Sequence, residues 1–120
     1  MKYMLLIYNN LDALMSLPKD ELDGIMGEAE AIMNELKERG EFLGGHGLAH
    51  PSQTKTVRVR DGVVATTDGP FVEAKEQFAG TVLMDVESEE RAVEIAARWP
   101  DARYYAMEVR AIMHDASEDL

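Results

Sequence analysis

YMLLIY, residues 3–8, is an unbroken run of apolar and aromatic side chains and predicts a buried β-strand. Asn9 and Asn10 end this run, and Pro18 suits the start of a helix because its fixed φ is already helical. Apolar residues then recur at helical spacing as far as Gly40: Leu22, Ile25, Met26, Ala29, Ile32, Met33 and Leu36. The chain therefore opens on a strand followed by a long helix.

The rest of the chain predicts further strands and a second helix. Alternation of valine and arginine before Asp61-Gly62 indicates a β-hairpin, since this dipeptide favours a tight two-residue turn. The expected order is a strand at 42–48, a hairpin of 54–60 and 63–67, a strand at 78–86, a helix capped by Ser88 and ended by Pro100, and a strand at 104–112.

This order predicts an α+β fold, a ferredoxin-like βαββαβ sandwich with an inserted β-hairpin. Both helices would cover one face of the sheet. The other face would still carry apolar side chains, and the chain has no third long helix to cover them. We therefore expect a homodimer in which two sheets pack face to face.

Composition narrows the classes of function. The 120 residues carry a formal net charge of −11, which argues against binding to nucleic acid or to an anionic membrane surface. The absence of cysteine excludes disulfides and thiolate chemistry and fits the cytoplasm. We expect one domain at 1–113, a polar tail at 114–120, and neither a signal peptide nor a membrane span.

TDGPFVEAKEQ, residues 67–77, is the segment most typical of a functional site. An aspartate that opens a turn usually accepts a hydrogen bond from the N–H two residues later. For Asp68 that residue is Pro70, which has no N–H. Gly69 is pushed from the helical region or takes a positive φ. The corner thus leaves Asp68 and Phe71 in fixed directions and available to a ligand.

Charged residues follow this corner. If residues 73–77 form one helical turn, Glu73 and Glu76 share a face with Lys75 beside them. One interpretation is a solvated surface turn with weak ion pairs. The other is the rim of a pocket for a small polar ligand.

Several segments together resemble the YCII-related family, in its DGPF branch. TDGPFVEAKEQ is joined by MKYMLLIY at 1–8, GEFLGGHGL at 40–48, TVRVRDG at 56–62 and YAMEVRAIM at 105–113. The resemblance implies a dimeric α+β barrel. It also implies a His–Asp pair in an inter-sheet cleft, with the histidine on the first helix, but residues 17–40 contain no histidine. Either His46 replaces it, with Asp68 as its partner, or the carboxylates of residues 67–77, which we call the DGPF segment, act instead.

Other candidates carry weaker signals. His46 lies between glycines, where a ligand can approach the backbone, whereas His50 and His114 read as surface residues. His46 and His50 would lie roughly 13 Å apart in extended chain, so we predict no metal site, although a tight loop could bring them together. Tyr8 either presents its hydroxyl to a cleft or is a half-buried strand end. No nucleotide or haem motif appears, and we expect no cofactor.

Two functions remain open. The first is a small-molecule binder with cofactor-free acid/base chemistry, for which Asp68 and His46 are the catalytic candidates. Its ligand-binding candidates are Tyr8, Phe71, Glu73, Lys75 and Glu76. The second is a non-catalytic regulatory or protein-interaction module linked to extracytoplasmic-function sigma factors, which the resemblance suggests. The sequence identifies neither a substrate nor a reaction.

Overall fold

The computed structural model describes residues 1–117, and within them the ferredoxin-like α+β fold is confirmed. A four-stranded antiparallel sheet contains the strands β1 (Lys2–Asn9), β2 (Phe42–Gly47), β5 (Gln77–Asp85) and β6 (Ala106–Ala111). Their order across the sheet is β2-β5-β1-β6. The inserted hairpin, β3 (Lys55–Arg60) and β4 (Val63–Asp68), forms a separate two-stranded sheet.

Two long helices cover one face of the four-stranded sheet. They are α2 (Lys19–Glu38) and α3 (Glu89–Arg98). The core between helices and sheet contains Tyr3, Leu5, Ile32, Leu36, Val82, Met84, Val86, Ala92, Ile95, Ala96 and Trp99. Alternate residues of β1 point into this core, so Met4 and Leu6 lie on the opposite face, which no element of residues 1–117 covers. We call that surface the open face.

Local sequence explains most boundaries. Gly40, with φ +71°, follows the end of α2 in the left-handed conformation that favours glycine. Ser88 Oγ accepts from the Arg91 N–H at 3.1 Å and caps α3 as predicted. Asp61 and Gly62, with φ of 52° and 77°, form the expected hairpin turn.

Two short helices were not predicted. Asn10 does more than end the first strand, because its side chain caps α1 (Leu11–Met15) by accepting from the Ala13 N–H at 3.0 Å. Pro100 was expected to end the second helix, but it begins α4 (Pro100–Tyr104). The last strand therefore starts at Ala106 rather than at Tyr104.

The hairpin projects from the body of the domain. The Cα radius of gyration is 16.5 Å, above the value of about 14 Å expected for a compact domain of this length. Val57, Val59 and Val64 remain 61%, 54% and 65% exposed on the hairpin. The second strand of the hairpin, β4, ends at Asp68 and leads directly into residues 69–76, so the DGPF segment continues the chain from the base of the hairpin.

The chain end is described only in part. Lys2 Nζ lies 3.3 Å from Asp115 Oδ2, which connects residue 115 to the first strand. Residues 118–120 of the predicted polar tail lie outside the described residues. No helix within residues 1–117 is both long enough and apolar enough to cross a membrane.

Candidate functional site

A polar cleft of about 360 Å³ lies where β1 ends and β5 begins. Three segments contribute to it: the start of α1, the loop before the 3₁₀ turn Pro51–Gln53, and the DGPF segment. We call it the outer cleft, and its lining consists of Asn9, Asn10, Leu11, Asp12, His50, Pro51, Glu73, Ala74, Lys75 and Gln77. Its volume falls in the range of small-molecule sites.

A histidine–aspartate pair forms part of this cleft. His50 Nε2 lies 2.8 Å from Asp12 Oδ1. The Ser52 N–H donates to His50 Nδ1 at 3.0 Å, and Ser52 Oγ lies 2.8 Å from the same nitrogen. Because Nδ1 accepts from a main-chain amide, the hydrogen-bond network assigns the ring hydrogen to Nε2, which donates to Asp12. The imidazole therefore holds one oxygen of Asp12 in place.

The DGPF segment contributes one acidic and one basic side chain to the outer cleft. Glu73 and Lys75 both line the outer cleft, whereas Glu76 is exposed outside it. Residues 73–76 form no helical turn, so the spacing expected for a helix does not apply. Instead Gln77 Nε2 donates to the carbonyls of Val72 and Ala74 at 3.2 and 2.8 Å, which ties the segment to the first residue of β5.

Asp68 has a different environment. Gly69 takes φ +95°, the positive value that its position before Pro70 allowed. The Gly69 N–H donates to Thr54 O at 2.8 Å, and Thr56 Oγ1 donates to Gly69 O at 2.7 Å. The Asp68 carboxylate accepts from Lys55 Nζ across the hairpin, and its side chain is 81% exposed. Asp68 is outside the lining of the outer cleft.

His46 is also placed away from the DGPF segment. It pairs with Thr81 across β2 and β5, and Thr81 pairs with Leu6, so the alternation of the strands puts His46 on the open face. Within residues 1–117, no hydrogen bond or ion pair joins His46 to Asp68. The proposed couple of these two residues is thus not formed within one chain, and their catalytic roles stay predictions.

The two aromatic candidates occupy separate surfaces. The Phe71 ring is 70% exposed and carries the Arg58 guanidinium 4.7 Å from its centroid. The Tyr8 ring lies 5.7 Å from that of Phe78. A hydrogen bond from the Tyr8 hydroxyl to Glu108, reinforced by partial burial, raises the pKa of Tyr8. These are the contacts of Phe71 and Tyr8 within one chain, and their ligand-binding roles stay predictions.

Sequence reasoning missed the residues of the outer cleft outside the DGPF segment. The sequence predicts His50 to be a surface residue and does not make Asp12 or Asn10 a candidate. The available signal was the polar cluster Asn9, Asn10 and Asp12 directly after the first strand, where side chains gather at the sheet edge. Within residues 1–117, no group of three or more histidine, aspartate or glutamate side chains could hold a metal ion.

Comparison with known proteins agrees with the segment pattern. The family model described as the YCII-related domain matches residues 1–114. An uncharacterized protein of Rhizobium meliloti (strain 1021) is 30% identical over 96 residues, which cover 80% of this chain and 77% of that protein.

Proposed function

The chain belongs to the YCII-related domain family, and we propose that its outer cleft binds a small polar metabolite that carries a carboxylate. The observation behind this proposal is the His50–Asp12 pair in the same cleft as Lys75. Acid/base chemistry on such a ligand requires a carboxylate of fixed orientation and a free ammonium in one cleft of small-molecule size. The outer cleft contains both groups.

Lys75 is the residue that would select the ligand. Within residues 1–117 it forms no ion pair, although the chain has nearly twice as many acidic as basic side chains. A ligand carboxylate would give it a charge-assisted hydrogen bond. Glu73, which lines the same cleft, would disfavour a ligand with more than one negative charge.

Asp12 is the proposed base. His50 Nδ1 already accepts from Ser52, so the imidazole is not free to remove a proton there. The hydrogen bond from Nε2 instead orients Asp12, whose side chain is 82% exposed and can reach a ligand. Asp12 would take a proton from the carbon beside the ligand's carbonyl, and the electron pair would pass to the carbonyl oxygen to give an enolate. Return of a proton from Asp12 to the same carbon would restore the carbonyl, so the ligand would exchange this proton with solvent.

Replacing Lys75 by methionine should weaken binding of the ligand by about 2 kcal/mol, or roughly 30-fold in Kd. The measurement is a thermal-shift screen with short 2-oxo and 2-hydroxy acids, followed by calorimetric titration of those that bind. Lys19→Met is the matched control, since Lys19 is highly exposed on α2 and lies outside the cleft.

Asp12→Asn should keep the Kd for the ligand within a few-fold of the wild-type value but abolish exchange of the ligand proton with solvent.

Either of two results would contradict this proposal. One is a screen in which no acid stabilises the wild-type protein. The other is a bound acid whose affinity is the same in the Lys75→Met and Lys19→Met variants.

We propose further that the open face is buried in a homodimer. Met4, Leu6 and Leu83 form an apolar row on this face, flanked by Glu108 and Arg110 of β6. Sheet-on-sheet packing would bury them, and the two copies would enclose His46 and Tyr8 in an inter-sheet cleft. The predicted roles of these two residues belong to that assembly.

Sedimentation of the wild-type protein at low micromolar concentration should give twice the mass of one chain. Leu6→Asp should give the mass of a single chain, because a carboxylate on the open face opposes apolar packing. Val93→Asp, at an exposed position on α3, should leave the dimer intact. A well-folded wild-type monomer would refute the dimer.

The second candidate function is a non-catalytic interaction module. The exposed valines of the projecting hairpin favour it, since apolar residues on a protruding strand pair suit contact with another protein. A sigma-factor system is the partner that the family resemblance suggests. This function would gain support if the acid screen fails while removal of the hairpin leaves the four-stranded domain folded.

A further inference from the structure

A second cavity, of about 410 Å³ and open to the surface, lies between α2 and the sheet. Ile25, Ala29 and Met33, spaced four residues apart on one side of α2, form its roof. Trp99 closes one side and is 3% exposed. We call this cavity the apolar chamber; it is separate from the outer cleft except that Asn9 borders both.

Glycines form much of the floor of the apolar chamber. Gly45, Gly47 and Gly80 lie on the helix-facing side of β2 and β5, where larger side chains would otherwise fill the space below α2. A Cβ at Gly47 would meet no atom within 4 Å. Close packing of the strands therefore does not require a glycine at position 47. It does require a glycine at position 80, where a Cβ would lie 2.5 Å from His46 O.

Asn9 and Asp101 form a polar pair at the border of the chamber, and His46 and Thr81, whose side chains point to the open face, border it as well. Asn9, 8% exposed, donates from Nδ2 to Asp101 Oδ2 at 3.0 Å, and both residues border the chamber. A ligand hydroxyl would find an acceptor in the second oxygen of Asp101. A ligand carboxylate would be repelled by Asp101.

From this arrangement we propose that the apolar chamber binds an uncharged apolar molecule with one hydroxyl group, such as a medium-chain alcohol or a phenol. The glycine floor provides the volume, the roof of α2 provides the apolar contact, and Asp101 selects a donor over an acid. The proposal does not depend on the chemistry of the outer cleft, because none of its groups is Asp12, His50 or Lys75.

Trp99 is the single tryptophan of the chain and borders the chamber, so its fluorescence reports on occupancy directly. Titration with 1-octanol should change the Trp99 emission saturably and raise Tm, whereas octanoate should do neither. Gly47→Leu should fill the chamber and weaken the alcohol response by about tenfold or more. Gly44→Leu is the matched control, because Gly44 is in the same strand, is equally unobstructed and lies outside the chamber.

Ala29→Leu, which fills the chamber from α2, tests the same point if Gly47→Leu fails to fold. His50→Gln should leave the alcohol response unchanged, which separates this proposal from the outer cleft. An unsaturable response, an equal response to octanoate, or an unchanged response in both filled variants would overturn it.

Discussion

Replacing Arg91 by methionine is expected to lower the free energy of unfolding by about 3 kcal/mol or more. Arg91 in α3 is 8% exposed and binds Glu41, also 8% exposed, which immediately precedes β2. Its Nε donates to Oε2 at 3.0 Å and its Nη2 to Oε1 at 2.8 Å. Without the guanidinium, the Glu41 carboxylate would lose its main partner between helix and sheet, which is the costly way to break a buried pair.

Arg98→Met in the same helix is the matched control. Arg98 forms its ion pair with Glu35 at the surface, where both side chains are about two-fifths exposed. We expect a loss below about 1 kcal/mol for this variant in chemical denaturation. Equal losses in the two variants would show that the Glu41–Arg91 pair is no more important than a surface pair.

The same pair predicts a dependence of stability on pH. Hydrogen bonds from Arg91, with a smaller contribution from Arg39, hold the pKa of Glu41 below its ordinary value against the opposing effect of burial. A depressed pKa in the folded state stabilises the protein fully above the unfolded-state pKa, near 4.5, and this contribution is lost as the pH falls through the folded-state pKa. The Glu41→Gln variant should therefore be less stable than the wild-type protein at neutral pH and should lose less stability than the wild type when the pH is lowered.

Gly80→Ala is expected to cost about 3 kcal/mol, a large effect for one added methyl group. The new Cβ would lie 2.5 Å from the carbonyl oxygen of His46, a backbone atom that no side-chain rotation can move. The strands β2 and β5 would have to separate at this point. Chemical denaturation measures the loss, and faster amide exchange should appear at Leu48, whose N–H donates to Ala79 O across the same contact.

Gly44→Ala provides the comparison for Gly80→Ala. Its Cβ would meet nothing within 4 Å, although it lies in the adjacent strand β2. We expect a change within about 0.5 kcal/mol for this variant. Gly80→Ala with equally small consequences, and unchanged exchange at Leu48, would contradict the close approach of the two strands.

Much of the fold could be predicted because its signals are local. The apolar run at 3–8, the helical spacing up to Leu36 and the Asp61-Gly62 turn each identify an element without reference to the rest of the chain. The short helices α1 and α4 were missed because five residues provide too little periodicity. The domain boundaries and the cytoplasmic location stay predictions.

The candidate site was predicted less completely because its contacts are long-range. The DGPF segment makes Glu73 and Lys75 candidates from sequence, and both line the outer cleft; their role in binding stays a prediction. Asp12 and His50 are 38 positions apart in sequence, and only the packing of α1 beside the loop before Pro51 brings them together. Asp68 is a candidate from sequence because Pro70 denies it a local main-chain donor, but Lys55, directly opposite in the hairpin, provides a donor.

Amide chemical-shift mapping by NMR tests the central claim about the outer cleft most directly. A short hydroxy or oxo acid added to the wild-type protein should shift the amides of Asn10, Asp12, His50 and Lys75 saturably, and the Lys75→Met variant should lose these shifts. Saturable shifts confined to the open face around Leu6 and Thr81, or none with any acid of the panel, would contradict the account.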